Sequence, residues 1–533
     1  MASKWWTLVA VCTGVFMLLL DITIVNVALP DIQTQLHASL SDLQWVIDAY
    51  ALSLASLLLT AGSLADLFGR KRIFAIGTVL FTLGSLLCGS APTILFLTIS
   101  RAAQGIGGAA MFATALALLA SAFHGKDRGV AFGAFGATTG VAVAVGPVLG
   151  GVLTSGLSWR WIFFVNLPIG LVALTVAILK VEESRDPHAG RPDWLGFITF
   201  SGGLGLLVLG LIRAGADGWG ANVVRWSLGG SAVLLLAFVV TQLAQSHPML
   251  DLSLLRKPTF VGGLIAAFGV SASIFSLLAY LVIYVQNVLG YSAVETGVRF
   301  LFLSGASFFA ATIAGRLTSH VPTRWLIGPG FLVLGVGLVL MLGIDAGSSW
   351  THLIPGLTVA GAGVGLINVP LASTAVGVVS QNRAGMASGV NSTFRQVGIA
   401  TGIAALGSIF SHQIASGLVE RLQHTPGTDP TRIADAVTGG QLNRLLANPD
   451  LTAAARRSIG QAATSSYVDA LNHITTIAAV IAFVAGVLCL VLIRQKDFVG
   501  QAGAAGPEAA AAQPEEQHGR PHGGAHAAGT HAG

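Results

Sequence analysis

Residues 133–151 read GAFGATTGVAVAVGPVLGG, an apolar run in which Gly136, Gly140, Gly146, Gly150 and Gly151 are set around Pro147. Pro147 has no N–H to give to the carbonyl of residue 143, and its ring crowds that carbonyl, so a helix here is expected to bend. Glycines about four residues apart strip side chains from one helix face and let a neighbouring helix come close. A helix that is bent and closely packed suits a moving seam better than a passive anchor.

The surrounding chain has the composition of a membrane protein. Of its 533 residues, 53% are hydrophobic and 10% are charged, and the mean hydropathy is +0.76; soluble domains carry about a quarter charged residues. A helix needs about twenty mostly apolar residues to cross the hydrocarbon core. Fourteen such stretches can be read, at 5–29, 43–64, 73–91, 95–122, 130–156, 160–181, 194–213, 223–244, 259–287, 296–318, 323–343, 352–378, 386–412 and 471–493. The expected fold class is an all-α integral membrane protein. The first stretch is too long for a signal peptide and reads as a retained span.

Lys and Arg alternate between the connecting loops. With the N-terminus in the cytoplasm, Lys4, Arg70–Arg72, Lys126, Arg128, Lys180, Arg185, Arg191, Arg256, Lys257, Arg316, Arg324, Arg383, Arg494 and Lys496 fall inside, while several opposing short loops carry no cation; Arg160, Arg213, Arg225 and five arginines of one long loop are the exceptions outside. The expected location is the cytoplasmic membrane, multi-pass, with both termini cytoplasmic. The formal charge of +5 is thus a topology signal, and no soluble basic domain offers a nucleic-acid face. Cys12, Cys88 and Cys489 lie in apolar stretches and read as small fillers, not as a disulfide framework.

Two segments stand outside this pattern. Residues 413–470 form a long external loop with amphipathic stretches, long enough for a helical cap or hairpin. The tail 500–533, rich in Ala, Gly, His and Pro, has no means of burying a core and reads as disordered, with no metal site expected at its histidines. The domain division is 1–181, a six-span bundle; 182–250, two additional spans with linkers; 251–499, a second six-span bundle including 413–470; and the cytoplasmic tail 500–533.

Ionisable groups inside a bilayer are costly enough to mark function by default. Asp21 lies in the first stretch, Asp48 in the second and Arg101 in the fourth. If both carboxyls face one cavity, they form an acidic site that a proton and a cationic substrate compete for, with Arg101 as counter-charge. Asp48 can equally be a residue of the external mouth, and Arg101 a structural partner. Gln104, Glu295, Asn391 and Arg395 are further candidates; Glu295 reads as half of a surface pair with Arg299, and Arg395 as polar glue between helices.

Between the second and third stretches, residues 62–72 read GSLADLFGRKR. Gly62 and Gly69 permit close backbone approach, Asp66 can cap or pair near a helix end, and Arg70, Lys71 and Arg72 hold the cytoplasmic side. This ordered loop resembles that of the major facilitator superfamily. So do residues 101–110, RAAQGIGGAA, which look like its Arg-x-x-Gln-Gly motif, and 140–151, GVAVAVGPVLGG, which look like its antiporter motif. Residues 20–32, LDITIVNVALPDI, resemble the signature of the fourteen-span drug:proton antiporters of the QacA and EmrB type, and 383–398, RAGMASGVNSTFRQVG, extend the similarity. One departure is the loop 315–324, GRLTSHVPTR, which lacks the acidic residue and so weakens a second cytoplasmic latch.

The resemblance implies two six-helix bundles with two extra central helices, alternating access, and proton coupling through Asp21 and Arg101. With the acidic pair, the expectation is an exporter of an amphipathic, cationic organic compound, or of one dedicated natural product, and the antiporter motif argues against an uptake symporter. Protons, a small-molecule substrate and the bilayer are the expected partners, with the proton gradient in place of any cofactor and the chain acting as a monomer. No nucleophile constellation or phosphate-cradling loop points to an enzyme or an ATP-driven pump.

Overall fold

The computed structural model describes residues 3–498 apart from 186–190, 246–247, 319, 423–428, 439–444 and 447–451. The tail and its histidines lie outside the described residues. Each of the fourteen apolar stretches coincides with helix: α1 Ser3–Leu36, α2 Leu40–Phe68, α3 Arg70–Gly89, α4 Ile94–Ala122, α5 Gly125–Gly156, α6 Trp161–Lys180, α7 Trp194–Asp217, α8 Asn222–Ala244, α9 Pro258–Val288, α10 Ala293–Leu317, α11 Arg324–Val339, α12 Leu353–Gly377, α13 Ala384–Leu422 and α14 Ala453–Leu492. Among the described residues, twelve helices are long and apolar enough to cross a membrane; α11, with 16 residues, is a shorter apolar helix, and α5 is not among the twelve. No strand occurs among the described residues.

The ends of these helices are set by local chemistry. Ser39 with Asp42 and Ser292 with Glu295 close capping boxes at the starts of α2 and α10, and the Thr93 and Thr452 hydroxyls accept backbone N–H groups at the starts of α4 and α14. Glu295 is therefore an N-cap partner. Arg299 does not need its carboxylate: it donates to the Glu295 carbonyl at 2.8 Å and lies 3.5 Å from the Tyr291 ring centroid.

Helices α1–α6 pack as one bundle and α9–α14 as another. The bundles meet through α2 on α13 and α5 on α10, so that the second helix of each half faces the fifth of the other. The interpolated pair packs through α7 on α2 and α13, while α8 rests mainly on α7 and shows most of its surface outward.

One buried acid ties this pair down. Asp193, 6% exposed, accepts from the Gly196 amide at 2.7 Å, Gln242 Nε2 at 2.6 Å and the Met249 amide at 3.3 Å, joining the start of α7 to the end of α8 and the segment leading to α9.

Two features depart from straight helices joined by loops. Helix α9 contains two π-helical segments, Ser271–Phe275 and Tyr284–Val288. Ser276, whose hydroxyl reaches both Ser271 O at 3.0 Å and Ile399 O of α13 at 3.2 Å, supports the first widened turn. The described residues of 413–470 are largely helical: α13 runs on to Leu422, α14 starts at Ala453, and Arg421 bridges them to Asp469 at 2.6 Å. A short helix, Pro430–Thr438, lies against both and buries Ile433 and Val437.

Asp193→Ala leaves three donors without their acceptor and is expected to cost about 1–3 kcal/mol. Thermal unfolding in detergent should show a lower Tm, and an unchanged Tm would mean that water replaces the carboxylate.

Candidate functional site

The deepest charges in the membrane region form one closed network in the first bundle. Asp21 on α1 and Arg101 on α4 are 0% and 2% exposed, and Arg101 Nη1 donates to Asp21 Oδ2 at 2.5 Å. The other carboxylate oxygen accepts from Gln104 Nε2 and from Asn166 Nδ2, both at 2.9 Å. Ser85 Oγ of α3 receives the second N–H of both amides, at 2.7 and 3.2 Å. Arg101 is further held by Gln104 Oε1 at 2.6 Å, by the Val46 carbonyl at 3.2 Å and by the Tyr50 ring, 4.2 Å from its centroid. Five helices thus converge on one ion pair.

Of these residues, Asp21, Arg101 and Gln104 are marked in the sequence; Ser85 and Asn166 are not. Asn166 is a single amide in the apolar run of α6, and its own Oδ1 has no hydrogen-bond partner. Polarity at membrane depth was the only signal available for it.

Asp48 stands apart. Val46 and Tyr50 both meet Arg101, and position 48 between them falls on the opposite side of a helix with about 3.6 residues per turn. It faces α7, within the field of Arg213, whose guanidinium also lies 4.8 Å from the Trp45 ring centroid and 3.6 Å from Asp217. Asp21 and Asp48 therefore do not share one acidic cavity in this conformation.

The glycine run of α5 serves two neighbours, not the single face expected. A Cβ on Gly146 would strike the Thr23 hydroxyl, and one on Gly150 would come within 2.9 Å of Ile24 Cγ1, so these two glycines admit α1 two and three residues past Asp21. Gly151, beside Gly150, meets Val294 of α10, and towards the other end of the helix Gly129 and Gly133 meet Gly315 of α10. Gly140 has only Ser304 O at 3.7 Å and is not required for packing. The helix is continuous through Pro147.

At the end carrying Arg70–Arg72, the two halves are latched. Asp66, 8% exposed, takes Arg70 Nε at 3.0 Å and Nη2 at 2.8 Å, and also accepts the amides of Gly385 at 2.9 Å and Met386 at 2.8 Å, at the start of α13. A carboxylate on the first amides of a helix is favoured by the partial positive charge there. Arg70 Nη2 continues to the Gln381 carbonyl at 2.6 Å. Gly62 is needed because a Cβ would strike Gly385 O, and Gly69 because its φ is +113°. Lys71 and Arg72 give their backbone amides to Glu183 at 3.0 and 3.2 Å. At the pseudo-equivalent place, α10 against α5, direct Gly315–Gly129 contact stands where a second acid is lacking.

Nearby, Arg383 reaches Asp251 at 2.6 Å in the segment before α9. Burial pushes the Asp251 carboxyl up, but hydrogen bonds from Ser253 and the Arg383 charge outweigh it and hold the group below its usual range.

Between the halves lies a cavity lined by the fourth and fifth helices of each bundle, including Phe112, Phe135, Asn368, Asn391 and Arg395. Arg395 Nη2 donates to Asn368 Oδ1 at 2.7 Å. Neither Asp21 nor Asp48 is on this lining.

A model of the Major Facilitator Superfamily matches residues 11–403. The chain belongs to that superfamily. It is 38% identical over 418 residues to the multidrug resistance protein Stp of Mycobacterium tuberculosis, covering 78% of each chain. It is 36% identical to the puromycin resistance protein pur8 of Streptomyces alboniger, over 82% of this chain and 87% of the relative. The probable actinorhodin transporter of Streptomyces coelicolor is 34% identical, with 86% and 81% covered. Among solved structures, the human organic anion transporter MFSD10 shares the fold at a TM-score of 0.61 and 14% identity, over 91% of this chain and 99% of that one. The superfamily member described here is thus a multi-pass membrane transporter of all-α fold.

Two outcomes follow from the geometry. Removing one partner of a buried ion pair costs about 3–5 kcal/mol, so Asp21→Asn and Arg101→Gln should each lower thermal stability, and the double variant should lose less than the sum of the two. Additive losses would show that the pair is not coupled. Asp66→Ala should open the latch: in a background without cysteines, Ser388→Cys should react with an impermeant maleimide from the Arg70–Arg72 face only when Asp66 is replaced. Equal labelling with Asp66 present would contradict the latch.

Proposed function

We propose that this transporter is a proton-driven exporter of amphipathic organic compounds, with fourteen spans and both termini in the cytoplasm, working by alternating access as a monomer in the cytoplasmic membrane. The observation that carries the proposal is the buried Asp21–Arg101 pair, set one turn from the seam where α1 meets Gly146 and Gly150 of α5. Protonation of Asp21 removes the charge that holds Arg101, and the network across α1, α2, α3, α4 and α6 loses its centre. Any shift of α1 is then passed to α5 through Thr23 and Ile24, and from α5 to the other half through Gly129 and Gly315. The latch at Asp66 opposes opening on its side, so its release and the Asp21 proton act on the same rocking motion.

Export is supported by the relatives, whose names include resistance and export proteins for multiple drugs, puromycin and tetracenomycin C. The same names suit a dedicated natural-product exporter as well as a broad one. The expectation of a cationic substrate rested on Asp21 and Asp48 sharing a cavity. With both carboxyls away from the central lining, we assign proton coupling to Asp21 and Arg101, substrate contact to the α4, α5, α12 and α13 lining, and to Asp48 a place beside Arg213 outside the coupling pair.

The test uses everted membrane vesicles holding an imposed pH gradient. A transported compound, puromycin among those screened, should draw protons out as it is accumulated. Asp21→Asn should abolish that proton movement while retaining gradient-free exchange of labelled substrate, and normal proton movement in this variant would remove the coupling role. Asp48→Asn should keep coupling. Gly146→Leu should insert normally yet transport about tenfold more slowly, because overpacking of about 1–3 kcal/mol falls on the conformational step; a full rate would remove α5 from the gate.

A further inference from the structure

The central cavity has a charge that no acidic side chain among the described residues neutralises. Arg395, on α13, projects into the lining between the two halves, and its one hydrogen bond is to the neutral amide oxygen of Asn368. It takes part in no ion pair among the described residues, whereas Arg101 has Asp21 and Arg70 has Asp66. A guanidinium offers five N–H donors in a planar fork suited to a carboxylate, phenolate or phosphate, and it cannot shed its charge in a protein. One turn away, Asn391 is 2% exposed and its Oδ1 finds no partner, an acceptor left open beside a donor left open.

The rest of the lining is mostly apolar, around a cavity of about 30 Å³ in this conformation that an aromatic ligand would have to widen. Phe112 and Leu116 of α4 and Phe135 of α5 face Arg395 across the cavity, and Gly136 leaves room between them where a Cβ would come within 2.9 Å of Val369. A second guanidinium sits on the same helices. Arg128, near the start of α5, touches the Ser373 carbonyl at 3.3 Å and the Phe132 ring, and its Nε is unpartnered. Charge at this depth is expensive unless it is compensated, and here the compensating group has to come from the ligand.

We propose that the substrate is an amphipathic aromatic compound bearing an acidic group, held by Arg395 with a donor of its own to Asn391. The proposal rests on the reading of the chain as a transporter and names the substrate class of its central site. It places the proton site and the substrate site on different residues, so an anion is exported without having to displace the Asp21 proton.

The experiment is equilibrium binding to the full chain in nanodiscs, using two dyes on one xanthene frame: fluorescein, which is anionic, and rhodamine 6G, which is cationic. Fluorescein should bind at least tenfold more tightly. Arg395→Gln should lose that preference through weaker fluorescein binding alone, and Arg395→Lys should keep the preference at reduced affinity, which also guards against a variant that merely misfolds. Absence of fluorescein binding, tighter binding of rhodamine 6G, or unchanged fluorescein affinity in Arg395→Gln would each overturn the proposal. Because no gradient is involved, the result separates from export: binding of fluorescein without gradient-driven transport would sink the exporter and leave this site standing. Gradient-driven accumulation of rhodamine 6G with tighter binding would do the reverse.

Discussion

A carboxylate and a guanidinium with almost no access to solvent must stay together unless one of them is neutralised. Asp21 and Arg101 impose that constraint on the first bundle. Their partners reach in from α2, α3, α4 and α6, so breaking the pair unsettles the packing of the whole half and not one contact. The cost of an unpaired charge at this depth, about 3–5 kcal/mol, is comparable to what is needed to change the balance between two conformations of a transporter. A single proton delivered to Asp21 is therefore large enough to matter.

In the proposed mechanism, the glycine helix α5 turns this local event into relative movement of the halves. Its outer glycines are pressed by α1 next to Asp21, and those nearer its start are pressed by Gly315 of α10. At these points α5 itself presents no side chain on either face, which limits its interlocking with α1 and α10. The Asp66–Arg70 latch acts on the complementary pair, α2 against α13, by setting a carboxylate on the first amides of α13. One inter-half contact is electrostatic and the other is steric, which accounts for the missing acid in the loop after α10 without loss of close contact there.

Much of this was legible in the sequence. Hydropathy located the fourteen long apolar helices, because such a stretch is defined by composition over a length, and the Asp21–Arg101 pairing follows from the scarcity of charge at membrane depth. The directions of side chains were harder to read. Asp48 looked equivalent to Asp21 by depth, yet the face that carries Val46 and Tyr50 meets Arg101 and leaves Asp48 on the other side. Ser85 and Asn166 carry no spacing signal, and Asp193 resembles an ordinary cap until Gln242 and Met249 are seen to close on it. The first π-helical turn of α9 is supported by a serine that reaches across to α13, a tertiary contact that periodicity does not encode. Arg395 read as polar glue, and only its position on the cavity, without a carboxylate beside it, gives it another meaning.

In the proposed mechanism, Asp21 is the group that takes up the transported proton. Infrared difference spectroscopy of the protein in nanodiscs, stepped from neutral to acidic buffer, reads carboxyl protonation directly. The account predicts a protonated-carboxyl band that appears on acidification, is missing in Asp21→Asn and persists in Asp48→Asn. A band that survives unchanged in Asp21→Asn, or that disappears only in Asp48→Asn, would contradict it.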